Sequence, residues 1–186
     1  MPIIQLYHPA GALDGARKPA LAQRLTEVLL SMEGGARTTG GIAFASVLFS
    51  EVPRGDWWVG GRIDGAYVTA PGKFLARVSV PEGYMSQLHK TRVHADVTAA
   101  ILAVTGNPAD PSQGASILVI IEEVTEGDWG AHGRTIGLES IAASVGLPRD
   151  GERFRWVESY FAAKAREYAA AGYPPDAGGL LASQGG

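Results

Sequence analysis

The sequence contains no cysteine, which excludes disulfides, thiolate metal centres and a cysteine nucleophile. Charge of one dominant sign is also missing. Lys and Arg number 16 against 19 Asp and Glu, a formal net charge of −3, and neither sign forms a long block. No nucleic-acid or anionic-membrane surface is therefore expected. The longest apolar runs, such as Ile117–Ile121, are strand-sized and far too short to span a bilayer. The start lacks the basic segment and apolar core of a signal peptide. His89 and His94 stand five apart on a helical stretch rather than three or four, so they do not share a face as metal ligands would. No glycine-rich phosphate loop is present. The expectation is a cytoplasmic protein that uses no metal and no cofactor, of 186 residues in one domain or two very small ones.

What the chain does have is a repeat. Glu51-Val52-Pro53-Arg54-Gly55-Asp56-Trp57 recurs as Glu123-Val124-Thr125-Glu126-Gly127-Asp128-Trp129, and each copy closes on an arginine, Arg62 and Arg134. The offset is 72 residues. Without gaps it also maps Pro9-Ala10-Gly11 onto Pro81-Glu82-Gly83, Leu21, Leu25 and Leu29 onto Val93, Val97 and Ile101, and Val47-Leu48-Phe49 onto Val119-Ile120-Ile121. Four segments in one register mark a duplicated unit.

Each unit reads strand, helix, strand, hairpin. Residues 3–8 and 74–80 are short, apolar and β-branched, and each ends at a Pro-x-Gly turn. Leu21, Leu25, Val28, Leu29 and Met32 form an amphipathic stripe that predicts a helix over 17–33, with Pro19 in its first turn and Gly34-Gly35 at its end. Val93, Val97, Ala100, Ile101 and Val104 repeat the stripe. Apolar runs at 42–50 and 115–122 read as internal strands. A single helix joining two strands makes them parallel. The fold class expected is α+β: two tandem β-α-β units forming a four-stranded sheet with two helices on one face, plus a C-terminal helix. The other sheet face is apolar and calls for cover from copies of the same chain. The boundaries expected are a first unit at 1–62, a linker at 63–72, a second unit at 73–146 and an extension at 147–186. That extension predicts a helix over 152–171 with Phe154, Val157, Phe161 and Tyr168 on one face, then a disordered tail from Pro174.

The residue with the clearest chemical potential is Pro2. If Met1 is removed, its nitrogen becomes a free secondary amine at the head of an apolar strand. Apolar surroundings disfavour the ammonium form, so such an amine can serve as a base near neutral pH, removing a proton alpha to a carbonyl and returning it elsewhere. Read alone, a proline at position 2 more often serves only to direct removal of Met1.

Pro-Ile-Ile-Gln opening a strand, a glycine-ended turn, one helix, an apolar strand and then Glu-Val-x-x-Gly-Asp-Trp together resemble the tautomerase superfamily. The nearest pattern is 4-oxalocrotonate tautomerase (4-OT), and the similarity covers roughly residues 2–135, twice over. Two units in one chain resemble the fused members, the group of cis-3-chloroacrylic acid dehalogenase and macrophage migration inhibitory factor. The resemblance implies a homotrimer, a small-molecule substrate that is a 2-oxo acid or enol, and Pro2 as general base and acid. The second unit has Phe74 at the equivalent position, internal and without an amine, so one site per chain is implied. The two substrate-binding arginines of 4-OT fall on Ala12 and Ser46, and in the second unit on Tyr84 and Leu118. The dehalogenase's paired arginines fall on Pro81 and Tyr84, its helix histidine on Leu29 and its water-activating glutamate near Ala131. The hairpin aromatic of 4-OT lands on Trp57 and Trp129. None of those arginine positions holds an arginine here, so a cationic partner is sought in Arg62 and Arg134, which close the two hairpins at equivalent positions, and in Arg77, which matches Gln5. Tyr84, Trp57 and Trp129 complete the candidate substrate-binding residues. The expected activity is cofactor-independent tautomerisation; hydration, decarboxylation or dehalogenation at the same proline, and a trimeric binding protein without chemistry, are the alternatives.

Overall fold

Four strands build one mixed sheet, described here from a computed structural model that covers residues 2–34 and 37–182. Their order is β2 (Ser46–Val52), β1 (Ile3–Pro9), β3 (Phe74–Pro81) and β4 (Ile117–Val124). β1 runs parallel to β2, and β3 runs parallel to β4. The two units meet where β1 and β3 pair antiparallel, with Ile3 opposite Ser79 and Tyr7 opposite Leu75. Period-two alternation sends Ile4, Leu6 and His8 of β1 and Phe74, Ala76, Val78 and Val80 of β3 to one buried face.

Helices α1 (Arg17–Met32) and α3 (Gln87–Thr105) cover that face. The repeat-related stripes interlock there: Leu21, Leu25 and Leu29 from one helix, Val93, Val97 and Ile101 from the other. Each of these side chains contributes about 2 kcal/mol by leaving water. Asp14 Oδ1 accepts the N–H groups of Ala16 and Arg17 at the entry to α1. At α3 Ser86 and His89 form a reciprocal capping box. The opposite sheet face lies bare, with Leu48, Leu118 and Ile120 about half exposed.

Three expectations are corrected. The second strand of the first unit does not begin at residue 42, because residues 39–44 wind into a short helix, α2 (Thr39–Phe44). Thr38 Oγ1 caps it by accepting the Gly41 N–H at 2.9 Å and itself donates to the Ser144 carbonyl. A Cβ on Gly40 would come within 2.8 Å of that same carbonyl oxygen, so only glycine permits this approach. Second, the hairpin of the second unit, β5 (Gly130–Ala131) and β6 (Arg134–Thr135), leads into an unforeseen helix, α4 (Leu138–Val145). Third, the chain beyond Pro174 is placed as far as residue 182. Leu181 is buried and the Gly179 N–H donates to the Glu126 carbonyl. Residues 183–186 lie outside the described residues.

The C-terminal helix α5 (Glu152–Ala171) docks on its own chain. Phe154, Val157 and Phe161 pack with Leu138, Ala142 and Leu181, whereas Tyr168 turns aside to stack on Tyr173 at 4.4 Å. A Cβ on Gly83 would strike the Tyr160 ring at 2.3 Å, so the turn after β3 admits α5 only because that residue is glycine.

Candidate active site

Because β1 pairs with β3 antiparallel, its first residue comes to the end of the sheet where β3 finishes. Pro2 is buried there, its carbonyl accepting the Ser46 N–H at 3.5 Å. It lines a cavity of about 40 Å³ with the last residues of β3, Val80 and Pro81, and the turn residues Tyr84 and Met85. Met32 and Glu33 from the end of α1 form another wall, and Ile141, Val145, Leu147 and Arg153 close it from the C-terminal segment. Almost all of this lining is apolar. The α4–α5 segment is thus a lid over the end of the sheet on which Pro2 stands.

Three polar side chains reach this cavity. Arg153 is half-buried on the first turn of α5; its Nε donates to the Tyr84 carbonyl at 3.2 Å and its Nη2 to the Met32 carbonyl at 2.5 Å. Burial pulls its pKa below the ordinary arginine value, and the charge of Glu33 offsets part of that shift. It nevertheless stays a cation at any working pH. The Tyr84 hydroxyl is enclosed and meets no hydrogen-bond partner among the described residues. Burial, then the nearby charge of Glu126, pushes its pKa far above the ordinary tyrosine value, so it remains a protonated donor.

Of the residues expected from sequence, the fold brings Pro2 and Tyr84 together. It does not bring the others to that cavity within one chain. Arg62 is exposed and bound to Asp64. Arg77 lies on the bare face of the sheet, paired with Glu122. Arg134 is exposed on the short hairpin. Trp57 lines a different cavity at the other end of the sheet, and the Trp129 indole is half-buried in its turn, its Nε1 without a partner among the described residues. Arg153 was not foreseen. Its signal was available: residues 153, 157 and 161 fall on one helical stripe, so a guanidinium follows the same face as Val157 and Phe161.

Two tandem β-α-β units sharing one sheet, with a proline heading the first strand inside an apolar cavity, define a class of protein. Residues 75–139 match the Tautomerase family model, described as a tautomerase enzyme. The second unit thus matches a tautomerase family, and the chain as a whole has the fold of fused, two-unit 4-OT proteins. A native fused 4-OT is 25% identical with a TM-score of 0.57, covering 72% of this chain and 94% of that chain. Another fused 4-OT, described as a wild-type symmetric trimer, is 20% identical with a TM-score of 0.57, covering 76% of this chain and 98% of that chain. A member of the cis-3-chloroacrylic acid dehalogenase family is 17% identical with a TM-score of 0.56, covering 91% of this chain and 99% of that chain. Comparison with curated proteins found no match. Among the described residues, no helix is long and apolar enough to cross a membrane.

Proposed function

We propose that the protein is a cofactor-independent tautomerase of a small 2-oxo acid or its enol, with Pro2 as the proton carrier once Met1 is removed. The observation that carries this reading is the shared cavity of Pro2, Tyr84 and Arg153. An amine enclosed by Val80, Met85, Ile141 and Val145 faces little water, and a cation beside it further disfavours protonation. In the proposed step the Pro2 nitrogen takes the enol hydroxyl proton, and the O–H electron pair closes the carbonyl. The carbon–carbon double bond then takes the proton back at the adjacent carbon. Tyr84 donates its hydroxyl to the developing carbonyl oxygen, and Arg153 receives the carboxylate.

About 40 Å³ holds a few water-sized atoms. The reacting end of the substrate enters, and an aromatic or longer body sits at the mouth. Arg62, Arg77, Arg134, Trp57 and Trp129 are then substrate contacts only if a neighbouring copy carries them in. A homotrimer is part of the proposal: Leu48, Leu118 and Ile120 leave an apolar sheet face uncovered, and a fused 4-OT of the same fold is described as a symmetric trimer.

The test joins intact mass with rate. The purified chain should lack the mass of Met1 and ketonise phenylenolpyruvate, and both Pro2→Ala and Arg153→Gln should slow this by about a hundredfold or more. Retention of Met1, or equal rates for the native protein and Pro2→Ala, overturns it.

A further inference from the structure

A second cavity lies at the other end of the sheet, lined in part by Phe74, Pro9, Ala12 and Thr105. These are the repeat counterparts, 72 residues away, of Pro2, Pro81, Tyr84 and Glu33 in the first cavity. Duplication therefore produced the cavity twice, and the two copies have diverged. The Pro2 copy is small. The other has about 570 Å³ of open space, within the range of small-molecule sites. Phe74 stands where the amine would be, and Ala12 where Tyr84 would be, so this copy has lost the reacting groups and gained room.

Its lining has also become cationic. Arg17, Arg54 and Lys73 border it, and the one acidic residue among those lining it, Asp64, is bound to Arg62. Among the described residues neither Arg54 nor Lys73 has a carboxylate within ion-pair distance. Arg54 Nε donates to the Ala10 carbonyl at 3.3 Å and Lys73 Nζ to the Trp57 carbonyl at 2.6 Å. Lys73 also stands 5.9 Å from the centre of the Trp57 ring. Arg17 meets Asp14 only at 3.7 Å. Beside these charges the wall is apolar, built from Trp57, Val68 and Phe74.

We propose that this cavity is a binding site for a small aromatic or unsaturated carboxylate, its charge between Arg54 and Lys73 and its flat body against Trp57 and Phe74. The apolar wall selects such a ligand over a bare inorganic anion. The proposal is independent of whether Pro2 acts as a base.

Calorimetric titration of the full chain with cinnamate tests it, using Arg153→Gln protein as well as native so that the Pro2 cavity is accounted for separately. Cinnamate should still bind the Arg153→Gln protein, through this cavity alone, whatever the Pro2 cavity adds in the native one. The pair Arg54→Gln and Lys73→Gln should weaken it by about tenfold or more, and Arg54→Gln alone, an exposed change that leaves the fold intact, by about threefold or more. Binding should weaken with salt, and equimolar inorganic phosphate should not displace it. No binding, loss of binding on Arg153→Gln, undiminished affinity in Arg54→Gln, or ready displacement by phosphate each overturns the assignment.

Discussion

Arg153 Nε donates to the Tyr84 carbonyl at 3.2 Å, fastening the first turn of α5 to the turn that follows β3. With Nη2 on the Met32 carbonyl, the guanidinium bridges the end of α1 and the end of β3, the two walls on either side of Pro2. A group held in this way is oriented before any substrate arrives. Arg153→Lys keeps the charge but cannot reproduce a forked pair of carbonyl contacts. Steady-state kinetics on a 2-oxo-acid enol should show KM raised about tenfold in Arg153→Lys with kcat falling less. Arg153→Gln should lose further in kcat/KM. A KM unchanged in both variants would remove Arg153 from substrate binding.

The Tyr84 hydroxyl has opposite consequences for stability and catalysis. Enclosed without a partner among the described residues, it carries the desolvation cost of an unmade hydrogen bond. Tyr84→Phe should therefore leave the folded protein unchanged or more stable by about 1 kcal/mol, read by chemical denaturation. The same substitution should lower kcat for ketonisation by about tenfold if the hydroxyl meets the carbonyl oxygen. Unaltered kcat would return Tyr84 to a packing role.

Glu126 is almost wholly buried beside the lid. Burial pushes its pKa up; the Leu138 N–H, donating to Oε1 at 3.2 Å, opposes this, and the nearby charge of Glu82 adds to it. A carboxyl with a raised folded pKa costs stability once the unfolded chain ionises, so the cost grows as pH rises from about 4.5 toward the folded value and is full above it. Glu126→Gln retains the acceptor for Leu138 and removes the charge. Its melting temperature should exceed the native one by about 3 °C at pH 8 and match it at pH 4. An equal difference at both pH values would show that charge is not the cause.

The sheet and its two helices were legible because duplication wrote them twice: the stripe at Leu21, Leu25 and Leu29 is repeated in Val93, Val97 and Ile101. Periodicity is a property of the chain itself, so it survives without knowledge of neighbours. Of the lid, α5 had such a periodicity but α4 did not. Helix α4 is eight residues long and absent from the repeat, and α2 depends on Thr38 meeting Ser144 far along the chain. Arg153 was passed over because a charge at the start of a helix reads as solvated until something covers it. What covers it is the end of α1, a contact that composition and spacing do not encode.

A partly enclosed ion pair also fastens the lid, which makes this part of its attachment testable. Lys164 Nζ reaches the two Glu82 carboxylate oxygens at 2.6 and 2.7 Å, and the Tyr160 hydroxyl donates to the same carboxylate at 2.9 Å. Both charged side chains are more than four-fifths buried. Burial raises the Glu82 pKa, but the Lys164 and Tyr160 hydrogen bonds outweigh it and leave the carboxyl below its ordinary value. A depressed carboxyl contributes stability above its unfolded pKa and loses it as pH falls through the folded one, so α5 should loosen in acid below about pH 4.5. Lys164→Met strands a carboxylate and should cost about 2 kcal/mol at neutral pH. Lys164→Met with Glu82→Leu should recover most of that, because no charge is left unpaired. Amide hydrogen exchange in α5 should quicken in the single variant and return toward native in the double one. Equal exchange in the native protein and Lys164→Met would show that the apolar contacts of Phe154, Val157 and Phe161 and the Arg153 hydrogen bonds hold the lid without this ion pair.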